Sequence, residues 1–173
     1  VDLPLQSVAR RRVLTSVRAL DKRQGWRGPL MRVRSARERE QLLRRVRRLH
    51  DTTRLEVGTL YPMLVEEVRS SRVRGRIGDR EVQIPLSLMS WAAPYSRTNA
   101  ENERTIASAK GVLEPGDVVW TMAPVSWMLR KSWGTPDDRR PNMALHQVPR
   151  VEGALYLYDH QTGEVLAMVG GLD

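Results

Sequence analysis

Apolar side chains return at Leu5, Val8, Ala9, Val13, Val17 and Leu20, close to the helical period of about 3.6 residues. The spacing predicts a helix over residues 2 to 24. Asp2 is placed to cap it, Pro4 suits its first turn, and Gly25 and Gly28-Pro29 end it. A second helix is predicted to begin at Ser35, with Glu38 at the capping-box spacing and Leu42, Leu43, Val46 and Leu49 as its apolar stripe. Its other faces are almost wholly arginine.

From about residue 57 the period falls to two. Leu60 to Val68, Val73 to Ile77 and Val82 to Leu88 read as strands separated by glycine or charged turns. Pro62 and Pro85 lie inside these runs; a proline cannot donate to a ladder, so both point to edge positions or strand ends. A small irregular barrel or sandwich fits better than a large sheet. Residues 98 to 110, with Asn99, Glu101, Asn102 and Glu103, read as a short exposed helix or insertion. Leu113 to Asp117 then turn into a strand over Val118 to Met122, and Trp133 to Asn142 read as a surface loop. Ala154 to Tyr158, Asp159 to Gly163 and Glu164 to Val169 form a strand, turn and strand. A lone hairpin is marginal in water. This one is expected to belong to a sheet whose other strands lie elsewhere, so that deleting Val151 to Asp173 costs little stability.

Charge changes the picture more than composition does. At 40% hydrophobic and 28% charged, the 173 residues suffice for a packed core in one or two small domains. The net charge of +9 is concentrated early, where residues 1 to 50 carry 15 Lys+Arg against 4 Asp+Glu and the rest carry 14 against 16. Arginine supplies 26 of the 29 basic residues, which fits bidentate phosphate or carboxylate recognition and equally a coding bias toward arginine. There is no cysteine, so structural disulfides and thiolate metal sites are excluded. No stretch approaches the roughly 18 apolar residues of a membrane span, and Val1-Asp2-Leu3-Pro4 shows no signal-peptide pattern; any anchor or export signal is expected upstream.

The chain offers little to catalysis. No serine has a lysine three residues on, Ser108-Ala109-Lys110 is one residue too short, and Lys131-Ser132-Trp133 lacks the glycine that would let a substrate backbone approach. His50, His146 and His160 have no partners at metal-site spacing, and each is assigned a structural or solvent role. Gly75-Arg76-Ile77-Gly78 lacks the third glycine and the Lys-Ser/Thr of a phosphate loop and reads as a turn. Trp26, Trp91, Trp120, Trp127, Trp133, Tyr61, Tyr95, Tyr156 and Tyr158 are assigned to core packing, because phenylalanine is absent and other aromatics must supply that volume. The basic helices stand apart from these aromatics, which argues against nucleic acid as a partner.

Three stretches carry a resemblance. Leu20-Asp21-Lys22-Arg23-Gln24-Gly25-Trp26-Arg27-Gly28-Pro29, then Trp91 to Tyr95 with Leu113 to Val119, then Gln147 to Leu155 with Asp159, Thr162-Gly163 and Ala167 to Gly171, together resemble class A bifunctional penicillin-binding proteins of the 1A type, in the region between their glycosyltransferase and transpeptidase domains. The resemblance implies an α+β chain in three parts: a helical, arginine-rich linker over residues 1–54, a small OB-like β-barrel with insertions over 55–150, and over 151–173 a hairpin that begins the transpeptidase sheet. It implies a parent that polymerises and cross-links peptidoglycan from lipid II on the extracytoplasmic, periplasmic face of the bacterial inner membrane, anchored by a segment outside this sequence. The Ser-x-x-Lys nucleophile is expected downstream of Asp173, and the Glu-Asp-x-x-Phe motif of the glycosyltransferase has no place in a chain without Phe. No catalytic, cofactor-binding or metal residue is assigned here, and no cofactor is expected. The implied partners are the flanking catalytic domains, with an envelope regulatory lipoprotein and an anionic lipid surface as further candidates. The alternative is a free-standing basic OB-type nucleic-acid-binding module.

Overall fold

The computed structural model describes residues 1–96, 104–124 and 140–171. Helix α1 spans Leu3–Arg23, with the Asp2 carboxylate accepting from the Leu5 N–H and a proline in its first turn. Its buried seam is narrower than the sequence pattern implied: Ala9, Val13 and Val17 are covered, whereas Leu5, Val8 and Leu20 stand 39%, 45% and 37% exposed. Strand β1 (Met31–Arg32) follows, then helix α2 (Ala36–Leu49). Its capping box forms as predicted, Ser35 accepting from the Glu38 N–H and Glu38 from the Ser35 N–H. Val46 is its buried apolar position; Leu42 and Leu43 are half-buried, and Leu49 is outside the seam at 63% exposure.

The barrel is built on β2 (Leu60–Arg69), β3 (Arg72–Ile77) and β4 (Arg80–Pro85), an antiparallel meander. A 3₁₀ turn, Leu86–Leu88, replaces the end of the third predicted strand, which stops at Pro85 where the ladder loses a donor. Strand β5 (Asp117–Met122) pairs with β2, with β1 and with β6 (Ala144–His146), giving the order β1-β5-β2-β3-β4 with β6 alongside β5. No full strand pairing closes the sheet among the described residues. The gap is narrowed by one bridge, Gln83 to Asn142, in which the Gln83 N–H donates to Pro141 O and the Met143 N–H to Gln83 O. Pro62 faces Trp120 of β5, while the β3 pairing begins only at Leu64. It therefore sits where β2 has one neighbour, a local edge inside a central strand.

The core runs through Met63, Val73, Ile77, Val82, Ile84, Met89, Met143 and Leu145, each 0% exposed. Leu64, Val118 and Val33 make a smaller cluster on the other side of the sheet, sealed by Leu42 and Leu43 of α2. The Gly75-to-Gly78 stretch is a strand as far as Ile77 and turns only at Gly78, whose φ is +59°. Gly75 is required by crowding, because a Cβ there would collide with the Leu64 carbonyl. The predicted polar helix or insertion falls partly outside the described residues. Its described part is an extended strap without helix, tied by Ile106 N–H to Ser90 O and Ala109 N–H to Ser70 O. Most of the predicted loop at 133 to 142, together with Trp127 and Trp133, lies outside the described residues; Pro141 and Asn142 join the barrel.

Strands β7 (Ala154–Tyr158) and β8 (Val165–Gly170) form a separate two-stranded sheet. The hairpin is not orphaned, contrary to expectation. It lies against α1, whose seam it faces with the buried Ala167. The Gln6 side-chain amide donates to Met168 O and accepts from Met168 N–H, and the Asp2 N–H donates to Leu166 O. The first and last elements thus form one helix–hairpin unit, and the barrel is threaded between them.

Candidate functional site

The buried seam of α1 advances in steps of four, Ala9, Val13, Val17, and its next member is Asp21, 1% exposed. A carboxylate buried in that position requires partners for its lone pairs. It has four. Arg27 donates through Nη1 to Oδ1 at 2.7 Å and through Nη2 to Oδ2 at 3.0 Å; Gln147 Nε2 donates to Oδ2 at 2.8 Å and the Arg150 backbone N–H to Oδ1 at 3.0 Å. Arg27 belongs to the segment that leads from α1 into the barrel, and Gln147 and Arg150 to the segment that leads out of it. One side chain therefore ties both crossings to the helix.

Other bonds lace the crossings to each other. Arg27 Nη2 also donates to Val148 O at 2.7 Å, the Arg27 N–H to Gln147 Oε1 at 3.3 Å, and Gln147 Nε2 to Gly25 O at 3.0 Å. Trp26 exchanges backbone bonds with the barrel, its N–H donating to Ala93 O and its carbonyl accepting from the Tyr95 N–H. Its ring meets Trp91 edge-on at 5.8 Å. Lys22 Nζ lies 5.3 Å from the Trp91 ring centroid, a cation–π distance. Burial lowers the Lys22 pKa, Arg18 adds to the shift, and Asp21 opposes it.

His146 ends β6 beside this cluster, 4% exposed. Burial pushes its imidazole down to about 4, with the charges of Lys22 and Arg18 acting in the same sense. It is neutral near pH 7, and its Nδ1 makes no hydrogen bond to protein. A cleft of about 330 Å³ opens here between Trp26, Leu30, Trp120, His146 and Val148. The arrangement suits holding rather than proton transfer, since both oxygens of Asp21 are engaged by donors.

The other histidines are scattered: His50 meets Tyr61 at a tilt, with 5.4 Å between ring centroids, and His160 is exposed in the β7–β8 turn. The aromatics divide. Trp26 and Tyr61 are buried, and Trp91 packs on the core as expected. Tyr95, Tyr156 and Tyr158 are 44%, 59% and 55% exposed, against the expectation of core packing. The meeting of Asp21, Arg27 and Gln147 was not foreseen from sequence. The available signal was a carboxylate at the next step of an apolar helical seam.

An incomplete antiparallel barrel braced by a helix, entered and left at adjoining points, is an OB-like domain. Residues 26–151 match the family described as the penicillin-binding protein OB-like domain, and the chain belongs to that family. Its similar relatives include penicillin-binding protein 1A of Rickettsia prowazekii (strain Madrid E), 27% identical over 173 residues, all of this chain and 18% of the relative. Penicillin-binding protein 1A of Escherichia coli (strain K12) is 27% identical over 174 residues, covering 98% of this chain and 18% of the relative. The crystal structure of penicillin-binding protein 1A from Haemophilus influenzae shares the fold with a TM-score of 0.59 at 16% identity, over 96% of this chain and 20% of that one. The chain thus spans about a fifth of the length of the relatives it matches.

Proposed function

We propose that the chain is the non-catalytic inter-domain segment of a peptidoglycan-synthesising penicillin-binding protein, and that residues 57 to 150 act as spacer and docking surface between a glycosyltransferase and a transpeptidase site. The carrying observation is the threading: the barrel is inserted between α1 and the β7–β8 hairpin, and both crossings are tied to Asp21. That construction suits a lobe held at a set position on a neighbouring domain. The hairpin supports the same reading, because Tyr156, Tyr158 and Met168 leave an apolar face 55% or more exposed, as suits strands that continue into a larger domain. Catalysis is assigned to the flanking domains, with the serine nucleophile downstream of Asp173 and the whole held on the extracytoplasmic face of the membrane by an anchor elsewhere in the parent.

Among docking partners, anionic lipid headgroups suit α2 and an envelope regulatory lipoprotein suits the barrel. Arg37, Gln41, Arg44, Arg45 and Arg48 share one exposed stripe of α2, opposite Val46. Each cation near an anionic surface contributes about 1 kcal/mol, screened by salt. Equal retention on neutral and anionic liposomes would remove the lipid partner. The nucleic-acid alternative draws no support from the aromatics, since Trp26, Trp91 and Tyr61 pack in the barrel rather than along this stripe.

The test of the spacer role uses the full-length parent with residues 26 to 151 replaced by a short glycine–serine linker. Lipid II polymerisation and β-lactam acylation are expected to persist while the cross-linked fraction of the product falls. An unchanged cross-linked fraction would sink the spacer role.

A further inference from the structure

We propose that the Asp21 carboxylate is an orienting pin: it fixes the angle at which the OB-like barrel leaves the helix–hairpin unit, and its loss frees that angle without unfolding either part.

Three observations converge on this. The barrel and the helix–hairpin unit have separate cores, the first centred on residues such as Met63, Ile84 and Leu145, the second on Ala9, Val13, Val17 and Ala167. Asp21 ends the α1 seam, and its side-chain bonds go to the two crossings rather than to the apolar side chains of either core, so both parts are expected to survive the loss of those bonds. The chain passes between the two parts twice, at residues 24 to 30 and 147 to 153, and Asp21 bonds to both passages. Two parallel tethers restrict rotation only if something holds them together, and the Asp21–Arg27–Gln147 set does so. Finally, the cleft of about 330 Å³ lies beside the crossings, lined by Arg27, Gln147 and Arg150 themselves. It supplies space into which the barrel can swing, which a close-packed interface would not.

The chemistry explains why a carboxylate occupies this position. All four groups aimed at Asp21 are donors, so the site needs a side chain that only accepts. Asparagine has the same shape, but its amide turns two donors toward one side of that ring. At least one arm of the clasp must then open. The bidentate fork of Arg27 makes the pin directional, because two parallel N–H···O bonds define a plane where a single contact would define a distance. A second clamp, Lys22 and Trp26 against Trp91, lies within one turn of the pin. It favours the observed angle but is an apolar and cation–π contact with less angular restriction.

The pin can be tested on this chain without reference to the parent's enzymology. The sequence has no cysteine, so Ser16→Cys on α1 and Ser70→Cys in the β2–β3 turn, both exposed, place two spin labels cleanly, one on each part. The double-labelled chain is expected to give a single narrow distance distribution. Asp21→Asn is expected to replace it with a broad or displaced one, while the barrel amides keep their hydrogen-exchange protection. Gln147→Met removes the four side-chain hydrogen bonds of Gln147 and keeps the shape, and is expected to broaden the distribution to a lesser extent; it serves if Asp21→Asn fails to fold. Asp117→Asn is the control. That residue is equally buried and paired with Arg32, but within the barrel edge, so its loss is expected to leave the distance unchanged. A distribution as narrow in Asp21→Asn and Gln147→Met as in the wild type would overturn the pin, as would equal broadening by Asp117→Asn.

Discussion

The barrel and the helix–hairpin unit are held together in different ways. In the barrel, side chains from five strands and the loops between them meet with no exposure at all, and α2 covers a second small cluster behind the sheet. In the helix–hairpin unit, three apolar residues of α1 and one of β8 are buried, and apolar groups such as Val8, Tyr156 and Met168 face outward. The barrel satisfies its own hydrophobic surface. The other unit leaves apolar surface uncovered and is tied together as well by polar bonds from Asp2, Gln6 and Asp21. The difference teaches where the chain's stability resides: substitution in the barrel should be felt as loss of fold, and substitution in the helix–hairpin unit as loss of arrangement.

The largest expected effect tests that division directly. Leu145→Ala and Ile84→Ala remove side chains that are 0% exposed and should each cost about 2–5 kcal/mol, the range for large-to-small changes in a core that only partly collapses. Val13→Ala, in a seam with fewer neighbours, should cost roughly half of the lower figure. Urea denaturation midpoints decide the matter, and equal losses at the three positions would remove the distinction between the two parts.

Acid comes next. The His146 pKa in the folded chain is about 4, against 6.5 for the free side chain. The unfolded chain therefore binds the extra proton first as pH falls, so the native state is penalised between about 6.5 and 4 and unaffected above that window. The loss is on the order of 3 kcal/mol at the acid end. His146→Gln should flatten the stability profile in this window, and a slope equal to the wild type would place the titration elsewhere. Because His146 belongs to the barrel and faces Lys22, Arg18 and Asp21 of α1, acid should loosen the barrel and the junction together.

Helix capping gives a smaller effect. Ser35→Ala breaks the capping box of α2 and should cost about 1 kcal/mol, read as a shift in thermal midpoint. A loss well above that would mean that Ser35 also holds the segment between β1 and α2.

Much of this was legible along the chain. Both helices, their caps, the strand periods and the terminal hairpin followed from spacing and turn residues, because each depends on neighbours within a few positions. Long-range pairing was not legible. Pro62 reads as an edge residue and is one, but only because β3 begins to pair at Leu64, a register no local pattern records. Tyr156 and Tyr158 read as core and are exposed, since alternation shows which residues share a face without showing whether anything covers it. Asp21 is the sharpest case: its importance comes from Gln147 and Arg150, more than 120 positions away.

The smallest global effect carries the most local information. Gln6 sits at the outer edge of β8, where its amide both donates to and accepts from Met168. It stands in for one residue of a neighbouring strand. An unpaired strand edge is a template for association, and here the helix supplies the covering group. Gln6→Ala should cost only about 1 kcal/mol, since these bonds are exchanged for bonds to water. The Met168 amide should nevertheless lose its protection and exchange faster than those of Ala167 and Val169, which lie on the β7 side of the ladder. If Met168 keeps its protection in the variant, β8 is covered by something other than Gln6; if it loses it while the barrel amides stay protected, the two parts of the molecule open separately.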